Sequence, residues 1–337
     1  MIPTRTVPEV LARTRDAVEP ALRTAVARLG PELRPPIAYH LGWTDADGRP
    51  TAGGGKGVRP ALALLSAEAS GAVAEVAVPG GVAVELVHNY SLLHDDVIDG
   101  DTERRHRPTV WALYGVGQAI ITGDALLALA VQLLLERGPA GGVAAAELVR
   151  ATASMIDGQA DDMAFESRLD VSIDDCLRME GHKTGALLSS ASAIGAILAG
   201  ARAGVVDALR EFGFQLGLAF QAVDDLLGIW GDPERTGKSR SSDLEGGKKT
   251  LPVAAALAGR GPAVDELRSL VAAGGLREDE RLRAAELIEA AGGRRTTERI
   301  ARRSLDRAVA ALGAVELVPT AAAELRELAC FVVDREF

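Results

Sequence analysis

Aromatic residues are scarce in this chain: Trp, Tyr and Phe make up 4% of 337 residues, against a hydrophobic content of 47%. The apolar mass is Ala and Leu rather than rings, and β-branched clusters of strand length are few. Ala and Leu are strong helix formers, so the composition points to an all-helical chain and away from a sheet-based one. Only Cys176 and Cys330 occur, far apart and in neither a zinc nor a redox spacing, which reads as two reduced thiols in a cytosolic protein. No Pro- or Ser-rich linker, charge block or low-complexity tract marks a boundary, so residues 1–337 are read as one domain. A net charge of −10 argues against a general binder of nucleic acid or anionic membrane. Residues 1–6 lack the apolar core of a signal peptide. The charge-free run from Thr184 to Gly200 is built from Ala, Ser and Gly and abuts Lys183, which suits a tightly packed core helix better than a membrane span. The expected setting is the cytosol.

Helical periodicity begins near Val7 and runs to about Leu29, with Pro20 inside it as an expected kink or split. Residues 30–57 are rich in Pro and Gly without a sustained period and are predicted as loop. The next helix starts near Val58 or Arg59, with Pro60 in its first turn. A break at Pro79, Gly80 and Gly81 is predicted to precede another helix, which Gly100 ends as its cap. Further helices are predicted at 108–137, 142–157, 173–201, 203–230, 250–259, 263–273, 277–291, 293–312 and 319–334. Residues 231–249 are too polar and glycine-rich for a core element and read as a functional or disordered loop.

Two aspartate pairs, Asp95 with Asp96 and Asp224 with Asp225, sit inside apolar helical stretches. Burying an unpaired carboxylate costs several kcal/mol or more, so something positive must meet each pair. Asp95 and Asp99 are four residues apart and share a helix face, while Asp96 lies about 100° round. Two carboxylates on one face near a helix end suit Mg²⁺, which takes oxygen ligands and keeps much of its water. Gln221, three and four residues before the second pair, extends a polar stripe on an otherwise apolar helix. Two such clusters aimed at one cavity would bind divalent cations, and the cations a polyanion.

Basic residues supply the other half. Gly53 to Pro60 offers flexible backbone with Lys56 and Arg59 just before a helix N-terminus, a combination suited to phosphate, although P-loop spacing is missing. Arg104, Arg105 and Arg107 follow the first pair. Lys183 precedes Thr184, and Lys238, Lys248 and Lys249 follow the second pair.

Taken in order, Gly54 to Pro60, His94 to Asp99 with its two arginines, Gly123 to Leu126, Gly158-Gln159, Lys183-Thr184, Phe220 to Asp225, and Gly237 through Asp243 to Lys248 resemble the trans-polyprenyl diphosphate synthase family. The stretch from Asp224 to Pro233 is most similar to bacterial geranylgeranyl diphosphate synthases. The resemblance covers about six-tenths of the chain. It implies an all-α isoprenoid-synthase barrel around a deep central cavity, usually in a homodimer, with isopentenyl diphosphate and an allylic diphosphate as substrates. It further implies that Asp95 and Asp99 hold two Mg²⁺ and Asp224 a third, supported by Asp96 and Asp225. Arg104, Lys183 and Lys238 would contact the allylic diphosphate, with Lys248 near the entrance. Lys56, Arg59, His88 and Arg105 would hold isopentenyl diphosphate, and Thr184, Gln159 and Gln221 would line the reaction centre. The family often carries a further aspartate where this chain has Gly228, but the metal-contacting Asp224 is retained.

Product length is read from the helix before the first aspartates. Tyr90 lies five residues before Asp95, roughly 7.5 Å along the axis, with small Ser91 beside it and Val87 nearly a turn deeper. A bulky residue there can floor the cavity. The uninterrupted Asp95–Asp99 motif argues against the bacterial farnesyl pattern, so a C20 product is expected, with C15 as the alternative. A class I terpene cyclase would replace the second aspartate motif, and a non-catalytic regulatory subunit usually loses aspartates; this chain keeps both pairs.

Overall fold

The computed structural model describes residues 6–51, 55, 57–231 and 242–333, and these are helical almost throughout, as the composition predicts. Helix α1 (Val7–Val26) starts at Thr6, whose backbone N–H donates to Glu9 Oε2 at 2.7 Å, and it passes Pro20 without interruption. Within the predicted loop lies α2 (Arg34–His40), missed because its two prolines read as breakers. They occupy its first turn, where a missing N–H costs no hydrogen bond. Helix α3 (Val58–Ala69) begins where predicted, and α4 (Val78–Ile98) carries the first aspartates, with Gly100 at φ +70° just beyond its Asp99 cap. Pro79, Gly80 and Gly81 do not break the chain before α4 but form its first turn. A Cβ on Gly80 would stand 2.6 Å from Ile194 Cγ2, so the glycine permits close helix packing.

A two-stranded hairpin, β1 (Glu103–Arg104) with β2 (Arg107–Pro108), follows. Gly115, at φ +87°, then divides the predicted 108–137 helix into α5 (Val110–Tyr114) and α6 (Val116–Leu135). Helix α7 (Gly138–Glu166) runs well past its predicted end at 157. The expected 173–201 helix is α8 (Ile173–Glu180) and α9 (Ala186–Leu198), joined by a π-helical turn at Gly181–Gly185. Then come α10 (Ala203–Trp230), α11 (Ser242–Glu245), α12 (Leu251–Leu257), α13 (Pro262–Ala273), α14 (Glu278–Ala290), α15 (Gly293–Gly313) and α16 (Pro319–Val333). Among the described residues one helix, α6, is long and apolar enough to cross a membrane by length and composition. It is not the Thr184–Gly200 stretch, where Ser190, Ser192, Ala193 and Ile194 are fully buried as a packed core helix requires.

Two compact units are discernible. The first comprises Met1–Arg150, Ser190–Arg210 and Ala314–Glu327. Its centre is α4 against α3 and α6, with Leu62, Leu65, Leu86, Leu126 and Leu134 excluded from solvent. Arg13 of α1 grips Glu68 of α3 through both terminal nitrogens, and α16 is tied in by the Val318 N–H donating to Ala69 O at 2.9 Å. The second unit comprises Ala151–Ser189, Glu211–Gly313 and Leu328–Phe337. Its core gathers Ile229, Leu244, Val253, Leu267, Leu287 and Ile288. There α10 packs so closely on the π turn that a Cβ at Gly217 would lie 2.5 Å from Gly185 Cα.

In the first unit a Cβ at Gly195 would stand 2.0 Å from the Ala63 carbonyl oxygen, whereas Gly204 has open space around it. Overpacking against backbone cannot relax through a rotamer change, so Gly195→Ala is expected to cost about 1–3 kcal/mol. Gly204→Ala, inside α10, should be neutral or mildly stabilising. Urea unfolding of both variants checks this; equal midpoints would contradict the close contact of α9 on α3.

Candidate functional site

The first aspartate motif separates into carboxylates with different work. Asp99 N–H donates to Asp95 O at 2.8 Å, so the two stand one helical turn apart on a common face, Asp95 partly buried and Asp99 exposed. Asp96 turns inward, is 2% exposed, and accepts from Arg104 Nε at 2.7 Å. Burial pushes the Asp96 carboxyl up from its ordinary value, and Arg104 opposes that rise. Arg104 is therefore the counter-ion of Asp96 as well as the expected allylic-diphosphate contact.

Around this pair the first unit concentrates positive charge. The hairpin turns through Arg105 and His106, both at positive φ (55° and 58°). That is the backbone of a type I′ turn, a conformation in which Asn and Gly are preferred and other side chains are strained. The turn is clamped from α2: Tyr39 OH donates to Pro108 O at 2.6 Å, and the Arg107 guanidinium lies 4.2 Å from the Tyr39 ring centre while donating to Thr44 O at 2.8 Å. Desolvation, then Arg59 and Arg105, holds the His88 imidazole well below its ordinary pKa, so it stays neutral. Glu85 shifts the other way, raised by burial and lowered by Arg59, and its Oε1 accepts from Asn89 Nδ2 at 3.2 Å. Arg59, His88 and Arg105, named from the sequence as one group, are thus brought into one electrostatic neighbourhood. Lys56 lies outside the described residues.

The second unit repeats the division of labour. Asp224 is partly buried, whereas Asp225 is 4% exposed and fully engaged. Thr184 Oγ1 donates to Gln221 Oε1 at 2.8 Å, Gln221 Nε2 to Asp225 Oδ1 at 2.9 Å, and the Leu251 N–H to Asp225 Oδ2 at 2.9 Å. Lys183 and Thr184 sit on the π turn, a distortion frequent at functional sites. Lys183 Nζ donates to Asp162 Oδ2 at 2.6 Å. A Cβ at Gly158 would meet Lys183 N at 2.5 Å, which explains the glycine beside Gln159. Both amide atoms of Gln159 are buried without a hydrogen-bond partner. Lys248 is partly buried, and Lys238 lies outside the described residues.

Sequence reasoning missed Asp162, Glu180, Asn89 and His40. Asp162 was visible as the second member of a further aspartate pair on the helix of Gln159. Glu180 carried no signal: it is 1% exposed, and neither carboxylate oxygen meets a conventional donor. Burial, and then Asp225, raise its pKa well above the carboxylate range, so its own acid proton supplies the missing donor toward Asp225. In the chain-length region, the Tyr90 and His94 rings meet edge-on at 4.7 Å, packed where a Cβ at Gly123 would collide with His94. Ser91 Oγ donates to His88 O at 2.8 Å, and Val87 has no exposed surface.

Among the described residues no three His, Cys, Asp or Glu side chains form a ready-made metal cage. Asp95 and Asp99 nevertheless offer two carboxylates on one face, a donor set that suits a hard cation completed by water and phosphate oxygens.

Residues 49–288 match a family described as polyprenyl synthetase. A (2E,6E)-farnesyl diphosphate synthase of Mycobacterium tuberculosis is 48% identical over 98% of this chain and 94% of its own. A geranylgeranyl diphosphate synthase of the same species is 44% identical over 90% of this chain and 88% of its own. The solved polyprenyl synthetase of Streptomyces coelicolor A3(2) is similar with a TM-score of 0.93 and 53% identity, over 97% of this chain and 99% of that one.

A raised carboxyl pKa in the folded state contributes stability that is present below the unfolded value and lost as pH rises through the folded one. The wild-type thermal midpoint should therefore fall relative to Glu180→Gln as pH rises above the ordinary glutamate range, since glutamine keeps a donor toward Asp225 without a charge to bury. Parallel profiles for the two proteins would show that Glu180 is not a buried acid.

Proposed function

We propose a specific reaction for this chain, which belongs to the polyprenyl synthetase family and is an enzyme of the prenyltransferase class: magnesium-dependent condensation of isopentenyl diphosphate with an allylic diphosphate, giving geranylgeranyl diphosphate (C20). One observation carries the reading. In each aspartate pair the second member is buried and committed to protein partners, Asp96 to Arg104 and Asp225 to Gln221 and the Leu251 N–H, while the first is the more accessible. On that division we place magnesium at the more accessible carboxylates, Asp95, Asp99 and Asp224. Bound there, magnesium supplies neutralising charge to a diphosphate leaving group.

The chain's own residues do the rest. Lys183 and Arg104 hold the allylic diphosphate, each moving from or sharing its present carboxylate partner; Lys238 and Lys248 are expected beside them. Arg59, His88, Arg105 and Lys56 hold isopentenyl diphosphate. The bond from C1 of the allylic substrate to its diphosphate oxygen breaks, and the double bond of isopentenyl diphosphate attacks C1. The departing diphosphate accepts the proton that is then lost. Thr184 and Gln221 bring a hydroxyl and an amide dipole to the reaction centre, their orientation fixed by the hydrogen-bond chain to Asp225.

Tyr90, fixed edge-on to His94, is the residue we assign to the floor of the product cavity. Formation of the C15 product is the second reading, favoured by the 48% identity to a farnesyl diphosphate synthase. The family's homodimer also has support in this chain. Val116, Ile120, Ile121 and Leu135 of α6 and Val143 and Val149 of α7 are all exposed, apolar side chains that a second subunit would cover.

Mass spectrometry of products from each allylic starter tests the reaction. A C20 diphosphate is expected, with longer products from Tyr90→Ala and at least a roughly hundredfold lower kcat for Asp95→Ala and for Asp224→Ala, the scale of losing one electrostatic element of a transition state. A C15 end product selects the second reading, and absence of any elongated product overturns both. For assembly, light scattering should give twice the chain mass, reduced to one by Ile121→Lys; a monomeric wild type would contradict the dimer.

A further inference from the structure

His40, at the end of α2, lies on a cavity that the sequence did not reveal. The cavity has a volume of about 240 Å³ within the first unit, and its wall includes His40, Asn89, Asp96, Arg104, Arg105 and Arg107. Three guanidinium groups against one carboxylate make it a pocket for an anion. Two of those arginines are already engaged, Arg104 with Asp96 and Arg107 with the Thr44 carbonyl and the Tyr39 ring. Beside them the His40 ring has the Asn89 side chain as a polar neighbour, while its Nε2 atom is buried and makes no well-formed hydrogen bond. A buried polar atom left so is costly unless something else completes it.

His40 is also placed rather than loose. Its neighbour Tyr39 is 4% exposed and bonds to Pro108 on the hairpin, so α2 and the Arg105 turn form one clamped assembly. Burial, with Arg104, Arg105 and Arg107 adding to it, pushes the His40 pKa down to about 3. The ring is thus a neutral imidazole at physiological pH, which keeps one N–H to give.

We infer that His40 is a further substrate-binding residue, whose Nε2–H donates to the diphosphate of isopentenyl diphosphate held at Arg105. The inference rests on the reading given above for Arg105, and adds to it a donor from a different part of the chain. A hydrogen bond to a charged group is among the stronger kinds, so its loss is expected to be visible in the Michaelis constant of one substrate only.

Steady-state kinetics of the full chain with His40→Ala, His40→Gln and Arg105→Ala tests it. His40→Ala should raise the KM for isopentenyl diphosphate about tenfold or more, with kcat and the allylic KM within about twofold of wild type. His40→Gln, whose amide N–H reaches a similar position, should recover most of the loss; it also serves if the alanine variant folds poorly. If Arg105→Ala raises that KM and neither His40 variant does, the inference fails and the reading of Arg105 stands. A parallel change in both KM values and kcat, not rescued by glutamine, would make His40 merely structural and overturn the inference. No change in any of the three variants would remove the isopentenyl diphosphate site from this pocket altogether.

Discussion

Neutralising carboxylates inside a helical core is the constraint on which the rest of this structure depends. A buried ion left unpaired costs several kcal/mol, and this chain buries one at each aspartate motif. At Asp96 the answer is a cation, Arg104, brought by the hairpin that follows α4. At Asp225 it is an amide, a backbone N–H and a neighbouring acid that keeps its proton. The two solutions differ chemically but have one consequence: the adjacent Asp95 and Asp224 are displayed on well-supported helix faces. The proposed grip on a diphosphate through metal would need such fixed carboxylates, because a ligand that swings loses the geometry on which electrostatic catalysis depends.

Irregular backbone gathers where this chemistry is expected. The Arg105–His106 turn adopts a conformation that glycine and asparagine prefer, and the Lys183–Thr184 segment is a π turn inside an otherwise regular helix. Positive φ at non-glycine residues costs of order 1–3 kcal/mol each and persists only where surrounding structure imposes it. Here the Tyr39–Pro108 bond and the Arg107 contacts impose it. Glycines serve the same end by a different route: Gly158 and Gly217 let neighbouring backbones approach the π turn more closely than any side chain would allow.

Much of this was legible in the sequence, for identifiable reasons. The helical class followed from Ala and Leu content, and the 203–230 helix was placed at its observed ends because an unbroken apolar period bounds it. The aspartate pairs and their basic neighbours were legible because charge inside an apolar run is conspicuous. What escaped notice depended on tertiary contact. Helix α2 was hidden by prolines that its first turn tolerates, and with it went His40. The glycines at 80 and 81 looked like a break, yet they answer to Ile194 and Leu64, residues far along the chain or on another helix. Glu180 has meaning only beside Asp225, a neighbour that sequence spacing does not disclose. Lys56 and Lys238, conspicuous in the sequence, fall outside the described residues.

The most direct test of the central claim needs no turnover. Thermal unfolding of the chain with inorganic diphosphate, with and without Mg²⁺, reports whether the aspartate faces bind the anion through metal. The account predicts a rise in midpoint that requires both components together and is lost in Asp95→Asn. An equal rise from diphosphate alone, undiminished in that variant, would contradict it.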